Sequence, residues 1–395
     1  MNYEKELLEK CESYCSMVSI KATERIYSNP RKEYGDMKGE HMKLYDESKI
    51  LYEIYRMRGL TIAQLVEVVF KSKIYAYRYL KNLQESGWLS HGYDTDGKIR
   101  LAKVYFCTDK AIERLEKEGY IEKGVKAKDN KPPKNKLKYT ILTNEVYAAL
   151  SPYQIHMYDS REWKRMNRMD RNTLVRGGLR MSDGRELGLY LFFSPKQISG
   201  AGFSDSMLTR FKYEIQKFPQ RNRIAVLCYD QSIYTKLVKA MDEDSKFLVT
   251  EELLVIPMGK NDFGYNLLRM SRNEEERRSD LEEILNAHLH KEHHALKGNI
   301  LDFAQYVADY GNKETYVVDF LSMNRPILHH LSTHYYDKIF QANGRKVDLI
   351  CWKASEGELR QKFLQYPHIN IVPVSMDRLT DTYIPRLEKT KLIES

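Results

Sequence analysis

The chain has no apolar run approaching 18 residues and no hydrophobic leader after its first methionine, so neither a membrane-spanning helix nor a signal peptide is expected. Cysteine is scarce. Cys11, Cys15, Cys107, Cys228 and Cys351 are odd in number and scattered, which argues against a disulfide framework. Cys107, Cys228 and Cys351 sit in apolar, strand-like stretches, where a thiol acts as a small hydrophobe. Cys11 and Cys15 lie four apart on an expected helix, but no His or Cys pair follows at zinc-finger spacing, so ordinary packing is the simpler reading. A cytoplasmic protein in a reducing compartment is expected. A Gly-rich phosphate loop is also missing, because "GKNDFG" has neither Walker nor dinucleotide spacing. No Ser-His-Asp or Cys-His constellation stands out.

What is present is tyrosine and positive charge. The 395 residues include 29 tyrosines, a composition unlike a disordered chain and long enough for two or three domains. Net charge is +9 and the pI is about 9.0. Residues 1–138 hold 28 Lys+Arg against 21 Asp+Glu, so +7 of the +9 lies in the first third. That balance favours a polyanionic partner such as nucleic acid.

Residues 1–44 read as a polar N-terminal arm or helix. From Tyr45 the pattern sharpens. "YDESKILYEIYRMRG" has helical spacing and ends in Gly59. Thr61 caps "IAQLVEVVF", "KSK" turns the chain, and a helix over Lys73–Ser86 ends at Gly87. A strand from Trp88 to Tyr93, an Asp-Gly turn in "DTDGK" and the return strand "IRLAKVYFCT" follow. Thr108 then opens "DKAIERLEKEG". This order predicts a winged helix-turn-helix over 45–121. Ala76, Leu80 and Leu83 share the inward face of the third helix. Tyr75, Arg78, Tyr79 and Asn82 share another face, expected to enter the major groove of double-stranded DNA. Lys73 and Lys81 flank this stripe, and the wing offers Lys98, Arg100 and Lys103 for phosphates. The plainer alternative is a winged helix used for protein contacts.

Residues 122–138, "EKGVKAKDNKPPKNKLK", hold seven lysines and two prolines and read as a basic, flexible linker. Residues 139–165 look mainly helical. "TLVRGGLRMSDGRELGLYLFFSPK" predicts two strands with an Asp-Gly turn, and a helix capped by Ser204, a strand, a helix and a strand complete an α/β unit over 139–260. A charged helical connector spans 261–299. A second α/β unit over 300–395 echoes the first: "ETYVVDFLSMN" matches "LGLYLFFSPK" with Ser322 on Ser194, "THYYDKIFQ" matches the helix holding Tyr213, and "KVDLICW" and "HINIVPVSMD" follow. The fold class expected is therefore α+β or α/β: a winged helix-turn-helix and then one or two such units.

The succession "VYFCTDKAIERL", linker, "LKYTILTNEVYAAL", "LVRGGLRMSDGRELGLYLFFSPK" and a Tyr-bearing helix resembles the replication-relaxation (MobC-like) proteins of plasmids and integrative elements. The resemblance covers residues 45–260. It implies a winged helix joined to a domain of the PD-(D/E)XK restriction-nuclease fold, and a role in plasmid replication or mobilisation. That nuclease fold needs an Asp on one strand and an acidic residue two from a Lys on the next, to hold Mg²⁺. Here the corresponding positions read Arg176-Gly177-Gly178 and Tyr190, Leu191, Phe192, so a pseudo-nuclease without metal cofactor is the leading expectation. Replication or mobilisation proteins and a second copy of the chain are the expected protein partners, with no membrane.

Two alternatives stay open. One is a metal-dependent, DNA-nicking relaxase using Mg²⁺ with Asp183, Glu186 and Lys196, or with Asp319 or Asp348 of the second unit. Buried carboxylates at those strand positions need a partner or a metal. The other is a winged-helix transcription repressor whose remaining domain dimerises or senses a ligand. In "NAHLHKEHHALKG", His290 and His294 stand i, i+4 on an expected helix and offer a metal clamp, although no Glu completes a HExxH arrangement and a polar helix face is the preferred reading.

Overall fold

The computed structural model describes residues 46–70, 72–96, 99–194, 202–217, 223–259, 262–291, 304–311, 313–335, 340–341 and 344–379. The expected arm over 1–44, with Cys11 and Cys15, lies outside them. The class is mixed α and β, with three sheets among the described residues. The chain divides into two compact units, with the boundary between Ala148 and Ala149.

The first unit begins with α1 (Glu47–Arg56), capped by the Asp46 carboxylate, which accepts from the Ser48 and Lys49 amides. Gly59, at a φ of +114°, turns the chain into β1 (Leu60–Thr61). The Thr61 side chain and Gln64 form a reciprocal capping box that starts α2 (Ile62–Val68). Next come α3 (Lys73–Glu85), β2 (Leu89–Asp96), β3 (Ile99–Cys107) and α4 (Asp109–Lys117). Gly87, at a φ of +74°, ends α3 as expected. The hairpin β2–β3 is antiparallel, and β1 adds to its β3 side.

The lysine-rich stretch is not the free tether expected from its composition. It contains α5 (Ala127–Asn130) and the start of α6 (Lys134–Leu150). Asn130 is buried, donates to the Tyr55 carbonyl and accepts Arg58 on its own. Leu137 and Ile141 pack on Val104 and Phe106. Asn144 donates to the Met57 and Gly59 carbonyls. Most of the helix assigned to the start of the α/β region therefore belongs to the first unit: one apolar stripe and two well-placed amides outweigh seven solvated lysines.

The second unit holds two five-stranded sheets. The first orders β4 (His156–Asp159), β5 (Gly177–Arg180), β6 (Glu186–Phe192), β7 (Arg223–Cys228) and β8 (Glu252–Pro257). Pairing is antiparallel for β4–β5 and β5–β6, then parallel. Helices α7 (Ser160–Met166), α8 (Asp205–Lys217) and α9 (Gln231–Glu243) join these strands. β4 interrupts what the sequence suggests is mainly helix. Then α10 (Phe263–Met270) and α11 (Glu274–Leu285) lead into the second sheet.

That sheet orders β9 (His288–His290), β10 (Tyr306–Asp309), β11 (Glu314–Asp319), β12 (Val347–Trp352) and β13 (Ile369–Val374). Its pairings repeat the first: two antiparallel, then two parallel. It begins at His288, before the expected boundary of 300. Helices α12 (Arg325–His334) and α13 (Glu356–Lys362) join the parallel strands, and part of the stretch "THYYDKIFQ" expected to answer to α8 lies outside the described residues. The sheets are tied together where the Met323 carbonyl accepts the Val255 amide at 3.1 Å and the Asn324 side chain accepts that of Leu253 at 2.9 Å.

Candidate nucleic-acid interface

The face of α3 is decided by burial. Ala76, Tyr79, Leu80 and Leu83 point inward. Tyr79 is only 3% exposed, its ring 5.7 Å from Phe70 and 6.0 Å from Tyr75. Burial pushes its phenol well above the usual tyrosine value. Tyr79 is therefore a core residue and not part of a groove-reading stripe, which corrects the sequence reading. Tyr75 and Asn82 are half-buried at the margin. The open face carries Lys73, Ile74, Tyr77, Arg78, Lys81 and Glu85, with Ile74 45% and Tyr77 56% exposed. Periodicity placed the stripe one position out of register, because a tyrosine reads as amphipathic and either side of the helix would accept it. Tyr77 is the residue this missed. Its signal was its i, i+4 relation to Lys73 and Lys81.

Arg78 keeps the exposed position expected of it. Lys81 faces Glu85 at 3.7 Å, both largely in solvent, a pair of small energetic weight that leaves the ammonium accessible. Of the hairpin cations, Lys103 is the one whose side chain is described. Lys103 donates to Gln84 Oε1 at 2.9 Å and lies over the Tyr105 ring at 4.9 Å, so it fastens β3 to the end of α3. Burial lowers its pKa from the ordinary lysine value. Arg100 lies on β3, and Lys98 is outside the described residues. The first unit does hold the charge. Residues 46–138 carry 20 Lys+Arg against 13 Asp+Glu, the same +7 as residues 1–138.

Three of the four carboxylates considered for metal chemistry, Asp183, Asp319 and Asp348, are held by protein groups. Asp183 pairs with Arg185 at 2.8 Å and accepts the Glu274 amide at the start of α11. Arg185 also reaches Glu252 and the Ser271 carbonyl. Glu186 is exposed, with the Tyr158 hydroxyl 3.5 Å from it, and Lys196 lies outside the described residues. Asp319 is buried against Arg277 and accepts the Leu321 amide. Asp348 accepts from Tyr310 at 2.9 Å and from Asn370 at 2.8 Å. Protein groups therefore satisfy both second-unit carboxylates. His290 is on a strand, not a helix, and His294 lies outside the described residues. Among the described residues no three metal-ligating side chains cluster. Cys107, Cys228 and Cys351 are buried, and burial raises their thiols, those of Cys107 and Cys351 to about 12.

No family model, curated protein or solved structure matches this chain.

Proposed function

We propose that the protein is a sequence-specific double-stranded DNA-binding protein of a mobile element, with residues 45–121 as its winged helix-turn-helix. It would act in plasmid replication, mobilisation or the regulation of either, as the resemblance to replication-relaxation proteins suggests. The observation that carries this reading is the open face of α3. Lys73, Tyr77, Arg78 and Lys81 follow one helical stripe that the described residues of the first unit leave exposed, beside a two-stranded hairpin. Arginine forks onto guanine, tyrosine meets thymine methyls or phosphates, and lysines at the rim neutralise the backbone. The second unit then serves as a non-catalytic platform, in keeping with carboxylates already engaged by Arg185, Arg277, Tyr310 and Asn370.

The test is a mobility shift on DNA flanking the gene, followed by footprinting. Arg78→Ala should weaken binding to the preferred site by roughly 1–3 kcal/mol. Equal binding by variant and wild type sinks the assignment of α3. Conversion of supercoiled plasmid to open circle with Mg²⁺, lost in Glu186→Ala, would replace this reading with a nicking enzyme.

A further inference from the structure

The second unit is nearly neutral. Residues 1–138 hold +7 of the +9 and 139–148 add only Glu145, which leaves +3 for 149–395. Residues 160–185 alone carry eight Lys+Arg against three Asp+Glu, so the rest of that unit is net acidic. This segment leads into an open depression of about 390 Å³ lined by Gln154, His156, Tyr158, Arg180, Met181 and Ser182. The Arg180 guanidinium is exposed and has no hydrogen-bond or ion-pair partner among the described residues. His156 is its register partner across β4–β5, so both side chains leave the same face of the sheet. The His156 and Tyr158 rings meet edge-on at 4.7 Å, and Tyr158 stacks on Trp163 at 5.9 Å. Trp163 is seated on Gly178, where any side chain would collide with it. The aromatic floor is thus held in place before any ligand arrives.

The second sheet supplies an internal comparison. Cys228 pairs in register with Pro257, and Cys351 with Pro373, which brings the two sheets into one alignment. On it, the hairpin pair Arg180–Glu186 answers to Asp309–Glu314, and His156 and Tyr158 answer to His288 and His290. The second sheet therefore keeps a ring at each position and replaces the free arginine by a carboxylate. Its His288 faces Glu282 at 3.0 Å. Among the described residues, the first sheet sets open aromatic surface beside an arginine that makes no ion pair, and the second sheet does not.

We propose that this depression binds an unstacked nucleobase and adjacent phosphate of single-stranded DNA. Rings against which a base can lie, with a guanidinium beside them, form the usual platform for single strands, and duplex DNA does not offer its base faces. Glu186, across the strand from Arg180, is placed to accept from a base N–H such as thymine N3–H and disfavours a bare polyphosphate. The inference rests on the reading that the protein acts on DNA, and it assigns the second unit a separate DNA surface.

The experiment is fluorescence anisotropy of the full chain with labelled oligo(dT) and, in parallel, with the duplex shifted by the wild type. Arg180→Asp, which installs the residue found at the equivalent place in the second sheet, should weaken oligo(dT) binding about tenfold and leave duplex binding unchanged. His156→Ala should weaken it several-fold, with both variants melting like wild type. Arg78→Ala should do the reverse, losing the duplex and keeping oligo(dT). Failure of the wild type to bind oligo(dT), equal affinity in Arg180→Asp, or equally good competition by inorganic polyphosphate each overturns the proposal. If duplex binding is absent while Arg180-dependent oligo(dT) binding remains, the α3 reading fails and this one stands.

Discussion

The seat of Trp163 permits a quantitative test of the first sheet's architecture. A Cβ built on Gly178 lies 1.8 Å from Trp163 Cε3 and 2.3 Å from Cδ2 and Cζ3. Carbon atoms make contact at about 3.5–4.0 Å, so Gly178→Ala requires the indole to retreat by roughly 2 Å. It has little room to do so. Trp163 is 4% exposed, stacks on Tyr158 and packs in the core cluster with Leu174, Val175 and Tyr190. Overpacking a core costs about 1–3 kcal/mol, and expelling the indole costs about 3–5 kcal/mol. The expected destabilisation is therefore about 2–4 kcal/mol, a fall in the melting temperature of about 4–16 °C for a unit of this size. Gly188 provides the control. It lies beside Gly178 across β5–β6, but its added Cβ meets Trp163 Nε1 at 3.6 Å, an ordinary contact. Gly188→Ala should be close to neutral. Thermal unfolding followed by circular dichroism and tryptophan emission reads both. Equal melting temperatures for Gly178→Ala and Gly188→Ala would refute the reasoning, because only the Trp163 distance separates them.

The two tyrosines of α3 should behave oppositely. Tyr79→Ala empties a core position and should cost about 3–5 kcal/mol in a urea melt, whereas Tyr77→Ala should leave the melt within about 0.5 kcal/mol and weaken the duplex shift. A stability loss for Tyr77→Ala as large as that for Tyr79→Ala would restore the original stripe. Glu214 supplies a pH dependence. Burial raises its carboxyl above the ordinary value of 4.5, against the Leu174 amide it accepts and the nearby Arg210. With the folded pKa raised, its contribution to stability is fully present below the unfolded pKa and is lost as pH rises through the folded value. Glu214→Gln retains an acceptor for Leu174 without that loss. Melting temperatures at acidic and neutral pH should show the variant gaining on wild type as pH rises, and a constant difference would exclude the effect.

What was legible in the sequence depended on how local the cause was. Thr61 and Gln64 cap α2, Thr108 opens α4 and Gly87 stops α3, all through groups within four residues of one another. These elements could be read directly. The face of α3 could not, because Tyr75, Tyr77 and Tyr79 are chemically alike, and only Phe70 and the neighbouring packing decide which ring is covered. β4 escaped notice for a related reason. "HMYD" is four residues between two helices, and its strand character comes from pairing with Gly177–Arg180, about twenty residues away. The histidine run misled in the same sense, since His288–His290 becomes a strand only by pairing with Val307–Asp309. The repeat was visible as an echo of "LGLYLFFSPK" in "ETYVVDFLSMN", but its register came from long-range pairs, Cys228 with Pro257 and Cys351 with Pro373. That register is what turns a loose resemblance between segments into a residue-by-residue comparison. Besides the buried Asp319 and Asp348, which answer to Leu191 and Ala225, it exposes an exchange of charge in the hairpin, Arg180 in one sheet against Asp309 in the other. Two sheets with the same pairings and opposite charge at one strand end are expected where one copy meets a polyanion and the other does not.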